Sequence, residues 1–452
     1  MKVKMKTRVL IVLIVLVFLL AGGFLIYKNI FQARQKEIIL TGPKELKAVI
    51  SPSVGNTLSG DIVIKLETFP KETGFIAFAL VPSKEQFDFN SHVVGMDIDA
   101  KNGWDFELDT LTFENGTYNL AIFSLKEPGQ PPLEIASTKV IIKNKETMGF
   151  VPPPSNEINY QKSFLLSEYT ATKSDIKRAK ELGANMVTLA FNIDTSNNQV
   201  KIPFDPTENF QKLKRKLSSL INEAHRQGLQ VELRTIMSPQ STGATDIEKF
   251  LSNLIPFMAD WAKFAQDHQI YSFTTFGEVD NNWFLKKVDP ETIERINKEV
   301  LAEVKKNYKG KVGVGFCCTY SKFYGLEGKE YQYDLTGYDY IAISIYPGGG
   351  EGEEVLKRYF SVLELIISSA KNMANKSGID KVIIGEVGVA TFSTQFKIPV
   401  VSEEKEAEFY DKLFTATNKI VNGYSILYSF PMASIKGKPA EEVVKEWYQK
   451  IP

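Results

Sequence analysis

The sequence predicts a multidomain chain: an N-terminal transmembrane helix, an all-β sandwich, then an α/β (β/α)8 TIM barrel. Three patterns predict it. Residues 9–27 form an unbroken apolar run behind a basic flank. Residues 44–145 carry short runs rich in Val, Ile, Phe and Thr at roughly ten-residue spacing, with Gly, Pro and Asn between them. From about residue 160, strand-like runs alternate with helical periods. Such alternation builds a parallel sheet, and eight units close it into a barrel.

At about 1.5 Å per residue the 9–27 run spans roughly 28 Å as a helix, close to the hydrocarbon thickness of a bilayer. Lys2, Lys4, Lys6 and Arg8 place the N-terminus in the cytoplasm and the later domains outside it. Cleavage at Ala21-Gly22-Gly23 would release a secreted protein instead. Phe24-Leu25-Ile26-Tyr27 carries the apolar run past that site, which favours an uncleaved single-pass signal anchor over residues 1–27 at the cell membrane. Residues 28–43 read as a polar stalk.

In the β domain, strands are expected at 62–64, 74–80, 104–108, 118–124 and 138–142. The stretch Glu114-Asn115-Gly116-Thr117-Tyr118-Asn119-Leu120 resembles a turn and strand of bacterial Ig-like domains, where a tyrosine near a strand start bonds back to the backbone. The plain role of such a domain is a spacer, and the alternative is carbohydrate or protein binding. Residues 146–158, with Pro152-Pro153-Pro154, form an extended linker, and 159–452 is the barrel.

The barrel units follow in order. A strand at 164–169 precedes a helix opened by Thr172-Lys173-Ser174-Asp175, a capping-box spacing, and closed by Gly183. Strand 186–193 leads to an amphipathic helix at 209–226, with Leu213, Leu217, Leu220, Ile221 and Ala224 on one face. Strand 229–237 precedes a helix at 247–268, where Pro256 implies a kink or a break. Strand 271–276, helix 290–308, strand 312–319 and strand 338–346 come next. Helix 353–374, strand 381–386, helix 402–421, strand 424–430 and a closing helix at 439–449 complete the set. Residues 320–337, rich in Tyr and Gly, predict no helix.

Composition narrows the chemistry. A balance of 54 Lys+Arg against 54 Asp+Glu lacks the basic surplus of a nucleic-acid binder. Two cysteines exclude a disulfide scaffold and a cysteine-rich zinc module. Cys317 and Cys318, adjacent on a strand, read as small core residues. Three histidines leave little for a metal site or a Ser-His-Asp triad. His225 and His268, at helix ends, read as solvated or capping; His92 belongs to the β domain. Carboxylates remain as the working groups, with no metal or cofactor expected.

In a (β/α)8 barrel the site lies at the C-terminal ends of the strands. The fourth strand ends Phe276-Gly277-Glu278 and the seventh ends Ile384-Gly385-Glu386. These strands face each other across the mouth, where two inward glutamates can approach to roughly 5–6 Å, the separation used in retaining glycoside hydrolysis. That chemistry needs one protonated and one ionised carboxyl, and two carboxyls sharing a site push their pKa values apart.

Here the chain resembles the clan A glycoside hydrolases, closest to β-mannanase-like endo-glycosidases. The likeness rests on Phe276-Gly277-Glu278-Val279, on Tyr338-Asp339-Tyr340-Ile341-Ala342-Ile343-Ser344-Ile345-Tyr346-Pro347, and on Ile383-Ile384-Gly385-Glu386-Val387-Gly388. The resemblance implies a retaining glycosidase acting on a carbohydrate, with Glu278 as acid/base, Glu386 as nucleophile and Tyr346 bonded to the nucleophile. Two departures stand out. Gly277 occupies the place where many clan members carry Asn, with Asn281 or Asn282 as a substitute donor. No Trp ends the eighth strand, where Tyr428, Phe430 and Met432 stand.

Further substrate-binding candidates are Trp283, whose ring suits the C–H face of a sugar, and Asp280, Glu168, Asn192 and Phe430. Glu232 and Arg234 share one face of the third strand. They form either an internal ion pair or an arrangement in which Arg234 reaches the mouth and tunes the carboxyls. Two rival readings are a catalytically silent barrel that binds glycan or an envelope protein, and a surface protein whose β domain does the interacting.

Overall fold

The computed structural model describes residues 48–51, 56–66, 73–97, 104–125, 132–145, 147–203, 205, 210–237, 246–278, 289–317, 333–347, 353–391, 400–429 and 433–451. The expected anchor and stalk lie outside these residues. Among the described residues no helix is long and apolar enough to cross a membrane.

The β domain is a two-sheet sandwich. One sheet has the order β1-β3-β6, from Ala48–Ser51, Asp61–Leu66 and Asp105–Asp109. The other has the order β2-β8-β7-β4-β5, from Thr57–Leu58, Leu133–Ile142, Gly116–Leu125, Phe75–Pro82 and Val93–Asp97. Strict alternation along β3 turns Ile62, Ile64 and Leu66 inward. They meet Phe78, Leu120, Ile122 and Val140 of the facing sheet in one apolar core. The Phe78 and Phe106 rings stack at 4.7 Å. Gly95 permits this closeness, because a Cβ there would lie 2.2 Å from the Phe106 ring. The Tyr118 hydroxyl donates to the Glu114 carbonyl at 2.9 Å, the back-bond expected of that tyrosine.

The expected strands 62–64, 104–108, 118–124 and 138–142 fall within or one residue from β3, β6, β7 and β8. Strands β1, β2 and β5 were not expected. β2 has two residues, and β5 directly follows the short helix Phe89–His92 and contains Gly95. Neither leaves a period long enough to recognise.

The second domain is a closed barrel. Its parallel strands run in chain order: β9 Gln161–Ser167, β10 Met186–Ile193, β11 Gln230–Met237, β12 Ser272–Gly277, β13 Lys311–Phe316, β14 Tyr340–Ser344, β15 Val382–Glu386 and β16 Gly423–Ser429. β16 pairs with β9 to close the ring. β10 matches its expected bounds. The capping box at Thr172 and Asp175 is formed in both directions. The helix Gln211–Arg226 buries Leu213, Leu217, Leu220, Ile221 and Ala224 as expected, and it starts after Phe210 in a left-handed conformation.

The break that was one of two outcomes expected at Pro256, and the solvated reading of His225, need correction. The helix Ile247–Asp267 runs unbroken through Pro256. Its buried row Leu251, Leu254, Met258, Trp261 and Ala265 packs on the barrel, and that burial outweighs one missing backbone hydrogen bond. His225 is buried rather than solvated, and its Nδ1 meets the Val151 carbonyl at 2.8 Å. His268 caps its helix, with Nδ1 on the Phe264 carbonyl at 2.9 Å. Cys317 is buried, while Cys318 lies outside the described residues. Among the described residues of 320–337, those from 333 onward form no helix, as expected.

The linker is extended but pinned to the barrel. Asn222 bonds both Val151 N and Gly149 O, and Gln230 Nε2 donates to the carbonyls of Pro154 and Asn156. Ile158 is buried, bonded through its N–H to the Tyr271 hydroxyl and through its carbonyl to Lys381. Gln230, Tyr271 and Lys381 all stand at the N-terminal ends of barrel strands, so the linker runs across the floor of the barrel.

Candidate active site

Period-two alternation of parallel strands sets the interior. Gln161, Thr188, Glu232, Thr274 and Tyr340 turn inward and meet. The Glu232 carboxylate is fully buried and accepts from Gln161 Nε2 at 2.9 Å, Thr188 Oγ1 at 2.9 Å, Thr274 Oγ1 at 2.6 Å and the Tyr340 hydroxyl at 3.2 Å. Arg234, two residues on, bonds it through Nε at 3.1 Å and Nη2 at 2.7 Å. Burial works against the Glu232 charge, but Arg234 and the hydrogen bonds outweigh it and hold the carboxyl below its ordinary range.

The other side of the Arg234 guanidinium faces the mouth. Nη1 donates to the Gly385 carbonyl at 2.5 Å and stands 3.8 Å from Glu386 Oε1. The two sequence alternatives are therefore both realised: Arg234 is an internal ion pair and also reaches Glu386. Gly385 makes this possible, since a Cβ there would lie 2.9 Å from Nη1 and 2.8 Å from the Ala342 Cβ.

Glu386 is the last residue of β15 and only 4 % exposed. Its carbonyl accepts from Ile345 N at 2.8 Å, which joins the ends of β14 and β15 and brings Tyr346 over the carboxyl. The Tyr346 hydroxyl donates to Oε2 at 3.1 Å. Among the described residues, Oε1 accepts no hydrogen bond. Burial pushes the Glu386 carboxyl above its ordinary range, and Arg234 and Tyr346 only partly offset it. The partial effect of Arg234 has a plain cause: Glu232 already neutralises its charge.

Across the mouth, β12 ends at Gly277. A Cβ at that position would stand 3.3 Å from Glu386 Oε1, from Ile236 Cγ1 and from the Thr235 carbonyl, so the Glu386 carboxylate lies against bare backbone. Glu278 follows, half-buried, with φ of 58°. Burial, then the charges of Glu386 and Glu278, raise the Tyr346 hydroxyl well above its ordinary value. Tyr346 stays a donor, and both carboxylates act on it. Beneath them Leu165, Ala190, Ile236 and Leu427 form an apolar layer against which Tyr346 packs.

Glu168 and Asn192 are brought together at the ends of β9 and β10. Glu168 Oε1 accepts from Asn192 N at 2.8 Å and Nδ2 at 3.2 Å. Burial still raises the Glu168 carboxyl despite these bonds. Asp280, Asn281, Asn282, Trp283 and Phe430 lie outside the described residues. Among the described residues no His, Cys, Asp and Glu cluster could hold a metal ion. Sequence reasoning missed Gln161, Thr188, Thr274 and Tyr340; their shared parity with Glu232 on neighbouring strands was the available signal. It also missed Tyr410, whose hydroxyl donates to the Val387 carbonyl beside Glu386 at 3.2 Å.

No protein-family model matches the chain, and no curated protein does. Among solved structures it is similar to a GH113 β-1,4-mannanase, at 18% identity and TM-score 0.47, over 65% of this chain and 99% of that one. The GH113 β-mannanase AaManA from Alicyclobacillus acidocaldarius, in complex with ManMIm, aligns at 18% identity and TM-score 0.49, over 66% and 99%. Endo-glycoceramidase II from Rhodococcus sp. aligns at 12% identity and TM-score 0.47, over 63% and 77%.

Proposed function

We propose that the chain is a membrane-anchored, extracytoplasmic retaining glycoside hydrolase that cleaves a β-linked poly- or oligosaccharide. The observation that carries this reading is the Tyr346 hydroxyl, bonded to Glu386 at 3.1 Å while the Glu278 charge acts on it from the facing strand end. Two carboxyls and one phenol at a barrel mouth suit a double displacement.

In the first step Glu386 attacks the anomeric carbon while Glu278 gives its proton to the departing glycosidic oxygen. In the second, Glu278 takes a proton from water, which attacks the same carbon and frees Glu386. Tyr346 and Arg234 steady the Glu386 charge before attack and as the sugar leaves. Burial leaves that carboxylate poorly solvated, which favours bond formation once it is ionised. Glu168 and Asn192 bind sugar hydroxyls at the rim, and Trp283, Phe430, Asp280, Asn281 and Asn282 are further contacts. The step requires no cofactor.

The test is reducing-sugar release from a polysaccharide panel headed by β-mannan, on account of the strand-end motifs. Glu278→Gln and Glu386→Gln each lower release at least a thousandfold (about 4 kcal/mol of barrel-mouth stabilisation lost) with folding retained. Release by the double variant equal to wild type sinks the assignment. Binding of glycan without release by the wild type moves the chain to the silent-barrel class. For the anchor, residues 9–27 keep the chain in the membrane fraction through alkaline extraction; recovery of a chain starting near Gly23 in the soluble fraction rejects it.

A further inference from the structure

The sandwich meets the barrel on the side of the mouth. The helices Lys173–Glu181 and Gln211–Arg226 start there, after β9 and β10, and residues 433–438 lead there from β16. Asp61 and Asp109 stand directly opposite each other on β3 and β6. Like charges so placed repel, and Lys173 sits between them, 2.6 Å from Asp61 and 2.9 Å from Asp109. Ser174 N donates to Glu107 at 3.0 Å. Lys212 Nζ donates to the carbonyls of Ser91 and Val93 at 2.7 and 2.8 Å, and Lys216 Nζ to that of Val94 at 3.4 Å.

The edge strand β5 goes further. Met96 N donates to the Tyr169 carbonyl at 3.2 Å, one residue past Glu168. Lys436, in the segment after β16, bonds Asp175 at 2.7 Å, and the charges of Asp97 and Asp105 act on it too. One sandwich edge therefore grips the segment after β9, and the segment after β16, its neighbour in the closed ring, is tied to the helix after β9 through Lys436 and Asp175. With the linker pinned beneath the barrel as well, this is not a free spacer.

We propose that the sandwich is a positioning element of the barrel mouth, its β5 edge holding the rim on which a glycan chain lies beyond the reacting sugar. The functional half of this statement rests on the glycosidase reading; the structural half does not. Glu168 and Tyr169 follow β9 on that rim, with β16 between them and the strand that ends at Glu386. A loosened rim weakens the grip on a long chain and leaves the chemistry at Glu386 intact.

The test uses the full chain with Lys212→Met, which removes the bonds to the Ser91 and Val93 carbonyls, and Met96→Pro. An edge strand tolerates proline where its N–H faces away from the sheet. Arg215→Met, which breaks only the exposed 3.5 Å pair with Glu114 at the same junction, is the control. Hydrogen exchange of amides 167–170 is expected to speed at least tenfold in both variants. The rest of the barrel and the control stay unchanged, and Lys212→Arg restores protection. KM for a polysaccharide rises at least threefold, while kcat on an aryl monoglycoside holds. Unchanged exchange at 167–170 in both variants overturns the proposal whatever the activity. Faster exchange with unchanged polysaccharide KM overturns its substrate half. A wild type that cleaves no glycan defeats the glycosidase reading, and exchange still decides the positioning.

Discussion

Glu386 has a buried carboxyl with one hydrogen bond from Tyr346 and a guanidinium 3.8 Å away that is committed to Glu232. Its ionised form is under-supported, and its acid limb lies above the ordinary glutamate range. Tyr346→Phe removes the one donor seen on Oε2. A hydrogen bond to a charged group is worth about 1.5–3 kcal/mol, so kcat/KM falls roughly 10- to 100-fold by the tenfold-per-1.36-kcal/mol rule. The acid limb of the pH profile moves further up, because the lost bond favoured the ionised form. A pH–rate profile that keeps its acid limb in place contradicts this role. The placement of Glu278 and Glu386 at the ends of two barrel strands was legible in the sequence, since each follows an apolar run and a glycine. The partners of Glu232 were not, because a Thr or Tyr inside a strand carries no sign of what it faces.

Strand ends decide the site as much as side chains do. β12 stops where Glu278 adopts φ of 58°, a left-handed conformation that costs a non-glycine residue about 1–2 kcal/mol. The strand end is held close to its neighbour: a Cβ on Gly315 would lie 2.4 Å from the Phe276 carbonyl and 2.9 Å from Gly277 Cα. Packing thus forces the conformation on a residue that would not choose it. Glu278→Gly is expected to raise the unfolding free energy by about 0.5–1 kcal/mol, after the entropy glycine adds to the unfolded chain, while glycan release is lost. Denaturant unfolding measures it, and a less stable variant means the strain is not stored there. Elements with a full period, such as Met186–Ile193, were readable to the residue. Val93–Asp97 was not, although it is the strand that meets the mouth.

At the scale of the molecule, buried carboxyls set the pH of greatest stability. Glu406 is fully buried in the helix Glu403–Thr417. Burial pushes it up to about 7, though Lys438 stands 3.5 Å away. The folded chain holds this proton to near pH 7, whereas the unfolded chain releases it near 4.5. The stability it contributes is full below 4.5, declines as pH rises through that window and is lost above 7. Glu168 and Glu386 are raised by burial in the same direction. Glu406→Gln removes the titration, so it matches wild type near pH 4.5 and exceeds it above pH 7 by on the order of 3 kcal/mol. Thermal unfolding from pH 4.5 to 8 follows the difference; a gap that does not widen with pH refutes the assignment.

The sequence by itself determined the order of the barrel's elements, the closing of a parallel barrel and the two Gly-Glu strand ends at its mouth. Those features are written in local periods, caps and breakers, which act over a few residues. Tertiary structure decided that Arg234 serves Glu232 and Glu386 together, that His225 is buried under the linker, and that a sandwich edge grips the rim of the mouth. Each of these depends on which residues meet across strands or domains, and that is set by register and docking between segments far apart in the chain.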